Sequence, residues 1–215
     1  MTDRGTHVIH DVAELRALYR EPSALVQRKK VTRIDDVTAR FVAGAPFFLL
    51  ATADADGNCD VSPRGGPPGF VRVLDEHRLA VPDLSGNNLL DSLTNIVANP
   101  HVGLLFVIPG RDDTLRVEGR AVLTTDPQIL ARWDDELRRP RVAIEVEVNT
   151  LFIHCAKSFR RGRVWDPESW GELTAPDNCE MVVEQLGIDV APADIRAGLE
   201  ASYARDLADE RIDSI

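Results

Sequence analysis

The chain has 215 residues, 44% of them hydrophobic and 28% charged, with a formal net charge of −10. It is long enough to bury a sizeable core in one domain and too apolar for wholesale disorder. The negative balance repels a phosphate backbone and so argues against nucleic acid as a partner, yet a local arginine cluster can still hold a small anion at short range.

Three cysteines, Cys59, Cys155 and Cys179, are odd in number and share no C-x-x-C spacing. They imply neither a disulfide framework nor a zinc site and point to a reducing compartment. The opening MTDRGTHVIHDVAEL lacks the apolar centre of a signal peptide, and no run approaches the ~18 apolar residues of a membrane span. A cytoplasmic location is expected, without membrane partners.

The first forty-odd residues read as helical. DVAELRALY spaces Val12, Leu15, Leu18 and Tyr19 for a helix with Asp11 as N-cap. Pro22 suits the first turn of a second helix, where its missing N–H costs nothing. IDDVTARFVAGA supplies Asp35, Val37, Phe41 and Val42 for a third, closed by Gly44 and Pro46.

From residue 47 the period changes. FFLLATA, the turn DADGN and CDVSPR predict a hairpin, and FVRVL and RLAVP around DEH predict a second. NNLLDSLTNIVANP then offers Leu89, Leu90, Leu93, Ile96 and Val97 as one helical stripe, stopped at Asn99-Pro100. VGLLFVI, TLRVEGRAVL and VAIEVEVNTLFIHC predict further strands; in the last, Ile144, Val146 and Val148 alternate with Glu145, Glu147 and Asn149. Between them DPQILARWDDEL predicts a helix capped by Asp126 with Pro127 first. Strands 47–53 and 102–108 carry apolar residues on consecutive positions, as expected where both faces are covered.

Six or seven mostly antiparallel strands with few interrupting helices predict a small barrel, not an alternating βαβ sheet. From residue 176 the chain reads as a helical tail with ten Asp/Glu against three Arg, a solvated appendage or a dimer arm. The expected organisation is one domain over 1–215: a helical extension over 1–45, the barrel over 46–170 and the acidic tail over 171–215.

The sequence holds no G-x-S-x-G, H-E-x-x-H or Walker loop. Its five histidines are scattered, and the His7/His10 pair lies near the chain end, so no metal site is expected. Asp112 and Asp113 fall in a predicted turn, where acids are common. Arginine placement is more informative. Arg64, Arg116, Arg120, Arg160, Arg161 and Arg163 lie on or beside predicted strands. Guanidinium groups at strand ends suit a phosphate, and equally suit surface pairs with the abundant carboxylates. SGNNLLDSL gathers Ser85, Gly86, Asn87 and Asn88 before a helix, as an anion site or as plain capping. SFRRGRVWDPESW sets Trp165 and Trp170 beside three Arg, for stacking on a flat heterocycle or for packing under a loop.

The order of these strings carries more than any one of them. SPRG, RLAVPD, ANPHVGLLF (98–106) and LRVEGRA (115–121) follow in a sequence that resembles the pyridoxamine 5′-phosphate oxidase-like, FMN-binding split-barrel superfamily over about residues 37–170. The helical start, CDVSPRG and WDPESW resemble one branch of it. The resemblance implies a mainly β fold, a six- or seven-stranded antiparallel split barrel with helical extensions. It also implies FMN as cofactor and a homodimer with flavin sites at the interface.

On the matching positions it implies cofactor contacts from Ser62, Pro63 and Arg64, from Val81 and Pro82, and from Asn87 and Asn88, where the oxidases carry an Arg-Lys pair. Thr114 and Arg116 would reach the flavin from the partner subunit, and Arg161 and Trp165 would add late-chain contacts. The missing Arg-Lys pair leaves Arg64 as the expected phosphate anchor. The substrate-binding signature of true pyridoxamine phosphate oxidases is not recognisable in RRGRVWDPESW. The function implied is therefore an FMN-dependent oxidoreductase, pyridoxamine 5′-phosphate oxidase-related, of a small molecule that the resemblance does not name. The alternatives are a non-catalytic flavin-binding or sensing module, or a split-barrel reductase of a deazaflavin or haem-related substrate.

Overall fold

The computed structural model describes residues 7–171 and 174–210. It begins with two short helices, α1 (Val12–Ala17) and α2 (Ala24–Arg28), that bury no side chain. Asp11 caps α1 by accepting the Glu14 N–H at 2.8 Å. Ser23 caps α2 by accepting from Val26. That cap corrects one expectation: Pro22 precedes the N-cap and stands outside the helix. The chain first meets the sheet at Val31, which exchanges backbone hydrogen bonds of 3.0 and 2.8 Å with Leu151.

Helix α3 (Asp36–Gly44) starts where Asp35 accepts the Thr38 N–H at 2.8 Å, a bond that holds the Asp35 carboxyl below the usual range. Of its expected apolar face only Val42 is fully buried, and Val37 is exposed. Ile34 already belongs to the core, so the packed body begins before α3.

Seven strands follow: β1 (Phe47–Ala53), β2 (Cys59–Gly65), β3 (Arg72–Val73), β4 (Arg78–Pro82), β5 (His101–Val107), β6 (Thr114–Thr124) and β7 (Ala143–His154). They form one sheet in the order β2-β1-β5-β6-β7-β4-β3, antiparallel at every pairing. The two ends, β2 and β3, are not paired with each other, which leaves the barrel split along that seam. The β1–β2 turn is tied by Asp54, which accepts the Asp56 and Asn58 N–H groups at 2.9 Å while Gly57 supplies a φ of +86°. Pro63 is tolerated in β2 because an edge strand leaves one row of its N–H groups unpaired.

Alternate residues of the strands fill the core. Phe48 lies 5.1 Å from Phe106 and 5.9 Å from Phe70, ring centre to ring centre. Trp133 is fully buried and donates its indole N–H to the Phe70 carbonyl at 2.7 Å. The remaining helices are α4 (Asp91–Ala98), α5 (Pro127–Leu130), α6 (Lys157–Gly162), α7 (Asn178–Leu186) and α8 (Pro192–Glu210). Residues 211–215 of the acidic tail lie outside the described residues. None of the described helices is long and apolar enough to cross a membrane. All three cysteines are free, and Cys179 is buried.

Three elements depart from the periodic reading. The helix expected over 87–98 starts only at Asp91, because Asn88 and Leu90 take left-handed backbone, φ 58° and 61°. Leu89 (67% exposed) and Val97 (77%) leave the expected stripe, and Leu93 and Ile96 alone of the five are buried. DPQILARWDDEL keeps its Asp126 cap and Pro127 but shortens to one α turn and a 3-10 turn over Ala131–Trp133, since Trp133 is drawn into the core. FVRVL pairs only at Arg72 and Val73, because Phe70 and Val71 bury themselves after the positive-φ turn at Gly69.

Candidate functional site: an arginine-lined cleft at the sheet edge

The side-chain period of a strand puts Asp60, Ser62 and Arg64 on one face of β2, with Val61 and Pro63 on the other. The first face looks onto the start of α4, where Ser92 is buried. Ser92 Oγ donates to Asp60 Oδ2 at 2.9 Å and lies 3.0 Å from Ser62 Oγ. With its own proton committed to Asp60, Ser92 accepts the Ser62 proton. Ser62 then accepts the Arg64 Nε–H at 3.4 Å. Arg64 also donates through Nη1 to Asp83 Oδ1 at 3.4 Å, with 22% of its side chain exposed. Two long bonds use two of five guanidinium donors, so Arg64 is aimed without being saturated.

These residues form one wall of a cleft of about 1130 Å³. The other walls come from residues 82–88 and 138–142 and from Glu210 at the end of α8. Its charged lining is four arginines (Arg64, Arg138, Arg139, Arg141) and four acids (Asp60, Asp83, Asp91, Glu210). The charged lining is therefore balanced, where the chain as a whole carries −10. Glu210 Oε1 accepts the Ser85 N–H at 2.6 Å, and its carbonyl accepts the Arg138 N–H at 2.8 Å. Burial pushes the Glu210 carboxyl up, and Asp206 adds to it, against the lowering effect of the Ser85 bond.

Of the residues singled out in the sequence, Ser62, Pro63, Arg64, Pro82, Asn87 and Asn88 line this cleft. Asn87 Oδ1 accepts the Leu89 N–H at 3.0 Å. That bond and the left-handed Asn88 hold the loop away from the helix. Val81 is not brought there; it is buried in the core.

Thr114 and Arg116, and the late-chain Arg161 and Trp165, lie outside this cleft. Thr114 is buried opposite His154, and Arg116 stands opposite Phe152, paired with Glu118. Arg161 is exposed on α6. Trp165 stacks on Phe159 at 5.7 Å and donates to the Arg111 carbonyl at 2.7 Å, which is packing under a loop. Arg160 pairs with Asp112 at 2.9 Å, Arg163 with Asp166 at 2.5 Å, and Arg120 lies 3.1 Å from His101 Nε2, all at the surface.

Sequence reasoning missed Ser92, Asp83 and the arginines at 138–141. The run RRPR was a legible signal, a basic patch in an acidic chain, but it lies outside the strands. Among the described residues no three His, Cys, Asp or Glu side chains gather as metal ligands would.

Solved structures of similar fold include the HupZ protein of Group A Streptococcus (18% identical, covering 56% of this chain and 93% of that one, TM-score 0.46). General Stress Protein 26 of Bacillus anthracis is similar at 21% identity, over 53% of this chain and 87% of that one, TM-score 0.40. The haem storage protein HutZ of Vibrio cholerae is similar at 16% identity, over 56% and 94%, TM-score 0.39. No curated protein matches the chain. The family model for pyridoxamine 5′-phosphate oxidase matches residues 34–155, from the first core residue through the last strand and more than half of the chain, and the protein belongs to that family.

Proposed function

We propose that the protein binds FMN in the cleft beside β2 and is an FMN-dependent oxidoreductase of a small molecule. The observation that carries this reading is Arg64, about three-quarters sheltered on an edge-strand face with donors to spare, in a charge-balanced cleft of an acidic protein. The residues fit the group. The cleft, at about 1130 Å³, lies just above the ~300–1,000 Å³ typical of ligand sites and offers guanidinium groups for a phosphate. Family membership supports a flavin, and the lack of a G-x-G-x-x-G fingerprint favours the mononucleotide over a dinucleotide.

FMN, when bound, supplies the hydride chemistry. The chain binds and orients it. Arg64 anchors the phosphate, held on one side by Ser62 and on the other by Asp83. The loop 86–88 offers backbone N–H groups and two amide side chains beside Arg138, Arg139 and Arg141. Asp60 and Ser92 fix Ser62 and, through it, the aim of Arg64.

We further infer a homodimer. Both faces of β1 are apolar: Phe48 and Leu50 enter the core while Phe47, Leu49 and Ala51 form the outer face. The register sets Leu49 beside Pro63 and Leu105, and Ala51 beside Val61 and Gly103. Val61 is 59% exposed in the single chain. A continuous apolar strip across β2, β1 and β5 is covered most simply by a second copy about a two-fold axis. Arg116 borders that strip opposite Leu105, which accounts for the sequence-singled residues falling in two groups, one per subunit at each site.

The test is direct. The purified protein should be yellow, and heat should release a flavin that runs with FMN on chromatography. Release of FAD, or a colourless protein that takes up no FMN on titration, overturns the reading. Bleaching by NAD(P)H separates an enzyme from a flavin-binding module.

A further inference from the structure

The acidic tail is built as a unit of its own. Helix α8 packs on α7, and Asp177, which caps α7, also accepts the Arg196 Nε–H of α8 at 2.9 Å. Cys179 is the buried side chain of α7, yet it lies outside the core cluster of the barrel. Neither that cluster nor the apolar residues packed against it include any from 174–210. Among the described residues, two hydrogen bonds join this hairpin to the rest of the chain, and Glu210 makes both. Its Oε1 accepts the Ser85 N–H at 2.6 Å, and its carbonyl accepts the Arg138 N–H at 2.8 Å.

That residue therefore brings a carboxylate from the tail into the cleft that Arg64, Asn87 and Asn88 also line. A carboxylate on a loop N–H, with arginines in the same cleft, occupies the kind of position that suits a phosphate oxygen. The fit is incomplete. Among the described residues no arginine comes within ion-pair distance of Glu210, and Arg138 and Arg141 pair with no carboxylate. Burial pushes the Glu210 carboxyl up, and Asp206 adds to it, so the single Ser85 bond does not make good the water it has lost. Glu210 is thus a weak occupant of a position that a stronger anion can take.

We propose that the Glu210 carboxylate is a built-in competitor for the cleft, an autoinhibitory contact that holds the Ser85 N–H in the cofactor-free protein and gives it up to a phosphate. For the identity of the incoming phosphate, FMN, the proposal rests on the flavin reading; the Glu210 contact itself does not. One N–H cannot serve both anions, and a phosphate beside a carboxylate meets like charge at short range. Release of Glu210 adds Ser85 to the free N–H groups of the loop 86–88 and removes that repulsion. Because Glu210 carries both hydrogen bonds of the hairpin to the barrel, occupation of the cleft and attachment of the tail oppose each other. The apparent affinity for the cofactor falls with the fraction of molecules in which the contact is closed.

The experiment titrates the flavin-depleted full chain with FMN and, separately, with inorganic phosphate, in wild type, E210Q, E210A and E200Q. Glu200 is an exposed acid of the same helix, and its variant controls for the loss of one negative charge. E210A binds FMN about tenfold more tightly than wild type, as expected of a contact closed in most molecules. E210Q falls between them, since its amide oxygen still accepts the Ser85 N–H, and E200Q matches wild type. Hydrogen exchange at the Ser85 amide, read without any ligand, is faster in E210A than in wild type. If FMN binds wild type and E210A equally, or E210A more weakly, the proposal is overturned and the flavin reading stands. If FMN fails to bind, the flavin reading falls and inorganic phosphate decides. Tighter phosphate binding by E210A then keeps the competitor, and equal or undetectable binding overturns it.

Discussion

Arg64 and Asp83 face each other at 3.4 Å across the upper edge of the cleft, each about three-quarters sheltered from solvent. That distance is longer than a good guanidinium–carboxylate bond, for which ~2.7–2.9 Å is usual. Asp83 therefore directs Arg64 without consuming it. The same is true of Ser62 below, also at 3.4 Å. Arg64 is held between two weak partners, ready for a stronger one.

The first prediction follows from that poise. Arg64→Ala should weaken FMN binding by one to two decades, the ~1.5–3 kcal/mol of a charge-assisted contact. Arg64→Lys should restore part of it, because an ammonium cannot make the bidentate fork. Arg120→Ala, which removes only a surface contact with His101, should cost under ~1 kcal/mol. Flavin fluorescence titration of the apo proteins measures all three, and equal affinities for wild type and Arg64→Ala would return Arg64 to a structural role.

Ser92 tests the support behind the arginine. Ser92→Ala removes the hydroxyl that bridges Asp60 and Ser62 and leaves both without that sheltered partner. A loss of ~1–3 kcal/mol in stability is expected, read by urea unfolding, together with weaker flavin binding. Unchanged stability would show that water replaces the bridge.

The outer face of β1 tests the dimer. Leu49→Glu places a charge at the centre of the apolar strip, between Pro63 and Leu105, without touching the core. Light scattering at micromolar concentration should report a dimer for the wild type and a monomer for the variant, with far-UV circular dichroism preserved. A wild type that is monomeric with flavin still bound refutes the interfacial arrangement.

Gly119 sits at the bulge where the β6–β7 register shifts, between Glu118 and Gly119. A Cβ there would overlap the Glu147 carbonyl oxygen and crowd Val146. Because the obstruction is backbone, no side chain can swing aside to relieve it. Gly119→Ala should therefore destabilise well beyond the ordinary ~1 kcal/mol of a point mutation, giving a much lower Tm or an insoluble protein. Gly110, whose added Cβ would meet nothing but whose φ is +80°, is the contrasting case, with a smaller cost from strain alone.

His154 predicts a pH dependence. Its folded pKa is lowered by burial and by Arg116 and Lys29. The unfolded chain then binds the proton more readily, so stability is full above the unfolded value, about 6.5, and falls as pH drops through the folded one. His154→Gln should flatten that decline in chemical denaturation curves taken between pH 7 and pH 5.5. An identical slope in wild type and variant would remove His154 as its origin.

Much of this architecture is legible in local sequence because it rests on local physics. Asp11 and Asp126 each cap the helix their position predicts, since a carboxylate one turn ahead of free N–H groups needs no distant partner. DADGN closes the first hairpin for the same reason, and two-residue alternation alone puts Ser62 and Arg64 on one face. The order of strands and the string ANPHVGLLF carry the family.

What local pattern could not decide is which apolar residues find a core and which polar ones meet. Leu89 and Leu90 fit a helical stripe, yet the chain turns left-handed at Asn88 and Leu90 and leaves both in solvent, because that loop lines a cleft instead of a helix face. Trp133 cuts short a predicted helix to reach the Phe70 carbonyl, 63 residues away in sequence. Ser92 meets Asp60 only because α4 packs against β2, and Lys29 meets Phe152 only because the Val31–Leu151 pair fastens the segment after α2 to β7. Such contacts have no period and no spacing to betray them. They exist only once hydrophobic burial has closed the loops between their partners, and so the tertiary structure alone decided which charged and polar groups of this acidic chain would meet.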